Sequence, residues 1–192
     1  MELVVIKYGG GLITLKSKTC QADLPNIKGV SEAIKEVVDR QRYHVIVVHG
    51  AGSFGHLKAK KWKLHLGKDS MINEPNLDSI TRGPKTQEEA VVEVQEDMRE
   101  LSSIVEQSLI NSGLRCFKFP PHEWALNTGE NFKGSLDPIF EAAKSGSIPI
   151  LHGDIVKVEG EKVFGVLSGD DIATRLVLEA DGGNYRVTNK LF

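Results

Sequence analysis

The stretch "YHVIVVHGAGSFGH" sets Gly50, Gly52 and Gly55 directly behind an apolar run and closes on His56. Glycines at such a place let backbone N–H groups approach an anion closely, and an imidazole beside them can donate to a phosphate oxygen. Three further segments share the pattern. "IKYGGG" sets Lys7 before Gly9, Gly10 and Gly11, "LHGD" carries Gly153 and Asp154, and "LSGDD" carries Asp170 and Asp171. In an open α/β sheet, ligands gather outside the carboxyl ends of the strands. Together these glycine-punctuated ends point to one crevice that takes two phosphate-bearing molecules, although any one of them alone would serve as a tight turn.

Two familiar labels fit the first stretch and fail on the rest of the chain. A dinucleotide-binding turn requires a second strand soon after its helix, with an acidic residue about 20 positions on. Lysine-rich, irregular sequence follows Gly55 instead, and Asp69 does not end an apolar run. A P-loop requires Lys-Ser/Thr after its last glycine, and here the dipeptide is His56-Leu57.

Lys7 interrupts an otherwise apolar strand, so its ammonium either reaches the crevice or snorkels from an edge strand to water. Asp170 and Asp171 either cap a helix or orient lysines and a nucleotide's magnesium, with Ser168 as the N-cap. His49 and His152 precede glycines, where shaping a loop is the expected role; His44 and His65 are expected at the surface, and His122 beside Trp124 in a Pro-rich loop that could line a pocket. Ligand spacings such as H-E-x-x-H or C-x-x-C do not occur, so a structural metal is not expected. Cys20 and Cys116 are expected as free thiols. The formal charge of −2 gives no pull toward nucleic acid or anionic membrane, and the lysine run from Lys58 to Lys68 lacks a nucleic-acid module around it. No apolar run approaches the ~20 residues of a membrane span. The expectation is a soluble cytoplasmic protein.

The elements that must position these residues follow from periodicity. Leu3–Ile6 and "HVIVVH" are buried-type strands, as are "RCFKF" and "SIPILH". Asp23 is an N-cap for a helix carrying Ile27, Val30, Ile34, Val37 and Val38. A longer helix from about Thr86 carries Val91, Val94, Met98, Leu101, Ile104, Val105 and Leu109, and "NSG" ends it. "SLDPIFEAAKSG" is a short helix, "GDIVKV" a loop or hairpin, and "KVFGVLSGDDIATRLVLEA" a strand, turn and helix. Residues 57–85 read as irregular. Strands alternating with helices give an α/β fold, a mainly parallel sheet with helices on both faces, in a chain whose 192 residues suit one domain.

In that order and at those separations, "KYGGGLITLK", "VVHGAGSFGH", "IPILHGDIV" and "VLSGDD" resemble the isopentenyl phosphate kinases of the amino acid kinase superfamily. The resemblance runs from Lys7 to about Ala180. It implies an αβα sandwich and ATP-dependent phosphorylation of isopentenyl phosphate to isopentenyl diphosphate, with Mg2+ carried by the nucleotide. It implies that Lys7 with Gly9, Gly10, Gly11 and Gly52 holds the ATP phosphates, and that Lys16 also serves phosphate. Ala51, His56 and Gly153 fall at acceptor positions, His56 gripping the acceptor's phosphate. Asp170 matches the carboxylate that orders the catalytic lysines. The five-carbon tail calls for an apolar pocket walled by the long helix after Thr86, with Phe117, Phe119 or Trp124 as further candidates. A homodimer through the acceptor half is implied as well.

Three departures stand out. Gly11 replaces the family's Ser or Ala. The stretch "HLGKDSMINEPNLDSITRGPKTQ" is lengthened and suggests a flap over the acceptor. After "LVLEAD" the family continues into a nucleotide-binding half, whereas here "GGNYRVTNKLF" follows. The expected organisation is therefore a kinase-like domain over residues 1–180, acceptor half plus phosphate loop, and a divergent tail over 181–192. An active kinase whose ATP site this chain or a partner completes and an inactive protein that binds phosphorylated ligands or pairs with a full-length relative both fit, and little or no turnover is expected of the isolated chain.

Overall fold

The parallel strands of the sheet are apolar on both faces, so both faces must be covered. The computed structural model describes residues 2–15, 18–40, 43–69, 71–72 and 83–182. Strands β1 (Glu2–Tyr8), β2 (Tyr43–His49), β3 (Cys116–Lys118) and β4 (Ile148–His152) lie side by side in the order β1-β2-β4-β3, all parallel. Alternation along each strand splits the interior in two. Val45 and Val47 of β2, with Tyr8 and Ile150, face one core, while Ile46 and Val48, with Leu3, Val5 and Leu151, face the other.

The first core is closed by α2 (Leu24–Asp39), α3 (Gly52–Lys61) and α4 (Gln87–Asn111), through Ile27, Ile34, Phe54, Val94, Met98, Leu101, Val105 and Leu109. The second is closed by α5 (Asp137–Lys144) and α6 (Gly169–Gly182), through Ile139, Phe140, Ala143, Ile172 and Leu176. A short helix, α1 (Gly10–Ile13), follows β1 directly. The chain also forms an antiparallel hairpin of β5 (Asp154–Val158) and β6 (Val163–Leu167), turned at Gly160–Lys162, which pairs Asp154 with Leu167.

Local chemistry sets the ends of the helices. Asp23 accepts from the N–H of Asn26 (3.1 Å), and Pro25 sits in the first turn of α2. Thr86 accepts from the N–H of Glu89 (3.1 Å) to start α4 where the periodicity places it. Ser168 accepts from the N–H of Asp171 (3.0 Å), so one half of the expected capping arrangement is present.

The expectation for residues 57–85 needs correcting at its start. Gly52–Lys61 forms a ten-residue helix and Leu64–Leu66 a 3-10 turn, with Trp62 and Leu64 buried beneath them. The glycines and the lysine run conceal this helix, because its inner face needs Gly55 to be small: a Cβ there would lie 3.2 Å from Met98 Sδ and 3.4 Å from Val94. The strand expected over Leu3–Ile6 runs on to Tyr8, which puts Lys7 inside it, and Gly10 and Gly11 open a helical turn rather than a loop. Lys16, part of the lengthened stretch (residues 70 and 73–82) and the end of the tail (183–192) lie outside the described residues.

Candidate functional site

β1, β2 and β4 end in register, Tyr8 beside His49 and His49 beside His152, so the loops that follow them meet at one edge of the sheet. The loops interlock through backbone contacts. Gly50 donates its N–H to the carbonyl of Tyr8 (3.0 Å) and Gly153 its N–H to that of His49 (3.2 Å). Thr14 Oγ1 donates to the Gly10 carbonyl (2.8 Å) and accepts the N–H of Ser53 (3.0 Å), tying α1 to the start of α3. The approach is close enough to demand glycine. A Cβ on Gly10 would stand 1.9 Å from the nitrogen of Gly52, whose own φ is +52°. The glycines therefore fit the two loops together and set the first turn of α3 at the crevice, where the Ser53 N–H is taken by Thr14 and the Phe54 N–H by the Ala51 carbonyl (3.1 Å).

Lys7 Nζ lies 2.7 Å from Asp170 Oδ1, with side-chain exposures of 22% and 74%. The lysine inside β1 thus reaches the crevice and is oriented by the carboxylate at the start of α6. Ala51, His56, Gly153 and Asp170 line one cavity of about 600 Å3. Much of the remaining wall is apolar, formed by Val94 and Met98 of α4, Ile155 of β5, Val166 and Leu167 of β6, and Ala59 of α3, while Lys60, His65, Asp154 and Ser168 add polar groups. A smaller cavity of about 370 Å3 adjoins it, lined by Gly11, Thr14, Gly52 and Ser53 and sharing Ala51 and His56. His56 is exposed where the two meet.

Below the loops, Tyr8, His49 and His152 form a buried row, with ring centroids 6.3 and 5.3 Å apart. His49 donates from Nδ1 to the Gly50 carbonyl (3.2 Å), and its Nε2 is buried without a partner among the described residues. Burial pushes the His49 imidazole down to about 3, and neighbouring His152 adds to the effect. His152 is lowered too, first by burial, and the Asp154 carboxylate opposes that shift.

Sequence reasoning missed a polar chain on the cavity wall. Asp154, its side chain fully buried, accepts from His122 Nδ1 (2.6 Å) and from the N–H groups of His122 (3.2 Å) and Ile155 (2.8 Å). His122 Nε2 accepts in turn from Arg99 Nη2 (2.8 Å). This ties α4, the loop after β3 and the β4–β5 turn together around the cavity. His122 was singled out only for its Pro-rich loop, and nothing in the local sequence marks Arg99.

The expected helical wall is present, but the aromatic candidates are elsewhere. Phe117 is half exposed under Arg115, while Phe119 and Trp124 pack on the second core. Phe119 and Trp124 follow β3, on the α5 side of the sheet edge, whereas the cavity lies on the α4 side.

The amino acid kinase family model matches residues 2–181. The chain belongs to the amino acid kinase family. Among its relatives, the isopentenyl phosphate kinase of Methanocaldococcus jannaschii is 27% identical over 183 residues, covering 92% of this chain and 65% of that protein. That of Thermoplasma acidophilum is 28% identical over 174 residues, covering 88% of this chain and 60% of that protein. The chain thus spans less than two thirds of the length of these two kinases. A solved isopentenyl phosphate kinase superposes with a TM-score of 0.76 at 21% identity, over 98% of this chain and 72% of that one, which shows the shared amino acid kinase fold. The product complex of the T. acidophilum enzyme gives 0.67 at 27% identity, over 90% and 63%.

Proposed function

We propose that this chain serves the ATP-dependent phosphorylation of isopentenyl phosphate to isopentenyl diphosphate, in the cytoplasm. The observation that carries the reading is the 600 Å3 cavity, whose lining passes from Ala51, His56 and Asp170 to Val94, Met98 and Ile155. A branched five-carbon phosphate has that polarity, a dianion at one end and hydrocarbon at the other. The isopentenyl phosphate kinases named above, similar over most of this chain, support it.

Phosphoryl transfer asks a protein mainly for positioning and for neutralisation of spreading charge. An oxygen of the acceptor's phosphate attacks the γ-phosphorus, and the bond from that phosphorus to the ADP oxygen breaks. The attacking group is already an anion, so no general base is required. His56 donates a hydrogen bond to the acceptor's phosphate, and Lys7, held by Asp170, neutralises the transferring group. The backbone at Gly52 and at the Gly9–Gly11 turn holds nucleotide phosphates, and Lys16 and Gly153 complete the site on this reading. Mg2+ supplies further neutralisation when bound.

Calorimetry with isopentenyl phosphate and, separately, Mg-ATP tests the reading on wild type and His56→Ala. The expected result is at least a tenfold loss of isopentenyl phosphate affinity in the variant with ATP affinity unchanged, since a hydrogen bond to a charged group is worth about 1.5–3 kcal/mol. Equal losses for both ligands remove His56 from the acceptor side, and no binding of isopentenyl phosphate by folded wild type overturns the function. Incubation with both substrates, read by mass spectrometry, then reports transfer.

A further inference from the structure

We propose that Lys60, which lines the cavity together with His65, forms a cationic rim that limits the length of acceptor tail the cavity accepts. The inference rests on the cavity's being the acceptor site. Both residues line it, and the course of the elements places them at the end away from the phosphate loops. α3 leaves those loops at Gly52; at 1.5 Å per residue, His56 stands about 6 Å along its axis and Lys60 about 12 Å. His56 and Lys60 are one helical turn apart, on the same face. The hairpin runs the opposite way. The carbonyl of Lys162, just before β6, accepts the N–H of Lys68 (2.9 Å) just beyond the 3-10 turn that carries His65, and Leu167 ends beside the loops. Val94 and Met98, packed beside Gly55, stand between the two ends.

The charges of this region are unevenly paired. Lys58 bridges Glu93 (2.8 Å) and Asp97 (2.7 Å), and Lys68 pairs with Glu88 (2.8 Å). Lys60, exposed on the same helix, has no ion pair among the described residues. The cavity's carboxylates pair elsewhere, Asp154 with His122 and Asp170 with Lys7. An unpaired ammonium keeps its hydration. A short branched tail ends among Val94, Met98 and Ile155 and leaves that hydration intact. A longer tail must replace water at Lys60 with hydrocarbon that offers no hydrogen bond, so the rim disfavours it. The class selected is the short alkyl monophosphate.

The test compares wild type, Lys60→Met and Lys60→Arg by calorimetry with isopentenyl phosphate and with a ten-carbon prenyl phosphate. Methionine keeps the side chain's length and the helix while removing charge. Lys60→Met is expected to tighten the ten-carbon ligand about tenfold and leave isopentenyl phosphate unchanged; Lys60→Arg is expected to keep the wild-type ratio. An unchanged ratio in Lys60→Met overturns the rim while leaving the acceptor site standing. Equal weakening of both ligands makes Lys60 a phosphate contact and also overturns it. If folded wild type binds neither phosphate, the functional reading fails and the rim with it.

Discussion

Lys7 shows what a single residue can and cannot reveal before the chain is folded. A lysine amid "LVVI" must reach either water or a counter-charge, and the ion pair to Asp170 decides between them. That pair is partly exposed, so it contributes at most about 1 kcal/mol to stability, and what it provides is orientation. His49 has the opposite character, being buried and without charge. Its pKa falls from about 6.5 in the unfolded chain to about 3 in the fold, and His152 moves the same way. Below pH 6.5 the unfolded state therefore binds more protons than the native one, and stability is lost as pH falls from about 6.5 toward 3. Each histidine contributes up to about 1.4 kcal/mol per pH unit. Urea midpoints should drop clearly between pH 7 and pH 5, and His49→Gln should flatten the slope. A midpoint equal at both pH values would refute this.

At the scale of elements, the strand ends and the capped helices α2 and α4 were legible because periodicity and caps are local properties. α3 was not. Its inner face uses Gly55 against Met98 and Val94, and a glycine demanded by a neighbouring helix looks the same in sequence as a turn glycine. The loop glycines can be separated by experiment. Gly10→Ala would force a Cβ to 1.9 Å from Gly52, whereas Gly9, at φ −67° and ψ 146°, has nothing within 4 Å of the added atom. Gly10→Ala is expected to cost on the order of 3 kcal/mol and Gly9→Ala less than about 0.5 kcal/mol in denaturant unfolding. Similar costs at both positions would mean that the interlocking of α1 with α3 does not hold the loops.

Among the described residues, helices cover both faces of the four-stranded sheet, and one of the two tryptophans packs on each side. Trp62 is buried in the core under α3 and α4, and Trp124 packs against Phe132 on the α5–α6 side. Because β1, β2 and β4 contribute side chains to both cores, the layers should unfold together. Fluorescence of Trp62→Phe and Trp124→Phe should give urea transitions with matching midpoints, after allowance for each variant's own stability from circular dichroism. Transitions that differ between fluorescence and circular dichroism within one variant would show layers that melt separately.

The sequence by itself determined the α/β class, the glycine-punctuated strand ends and the starts of α2 and α4, and it supplied the proposal of Lys7, His56 and Asp170 as residues of a phosphate crevice. These rest on composition, periodicity and spacing within short segments, which the chain carries wherever it folds. Tertiary structure alone decided that Lys7 meets Asp170, that Asp154, His122 and Arg99 form one chain, and that Val94 and Met98 line a cavity as well as a core. It also set Phe117, Phe119 and Trp124 outside that cavity. Each of these depends on which face of the sheet a distant helix covers, and a helical stripe looks the same whether it packs against protein or against a ligand.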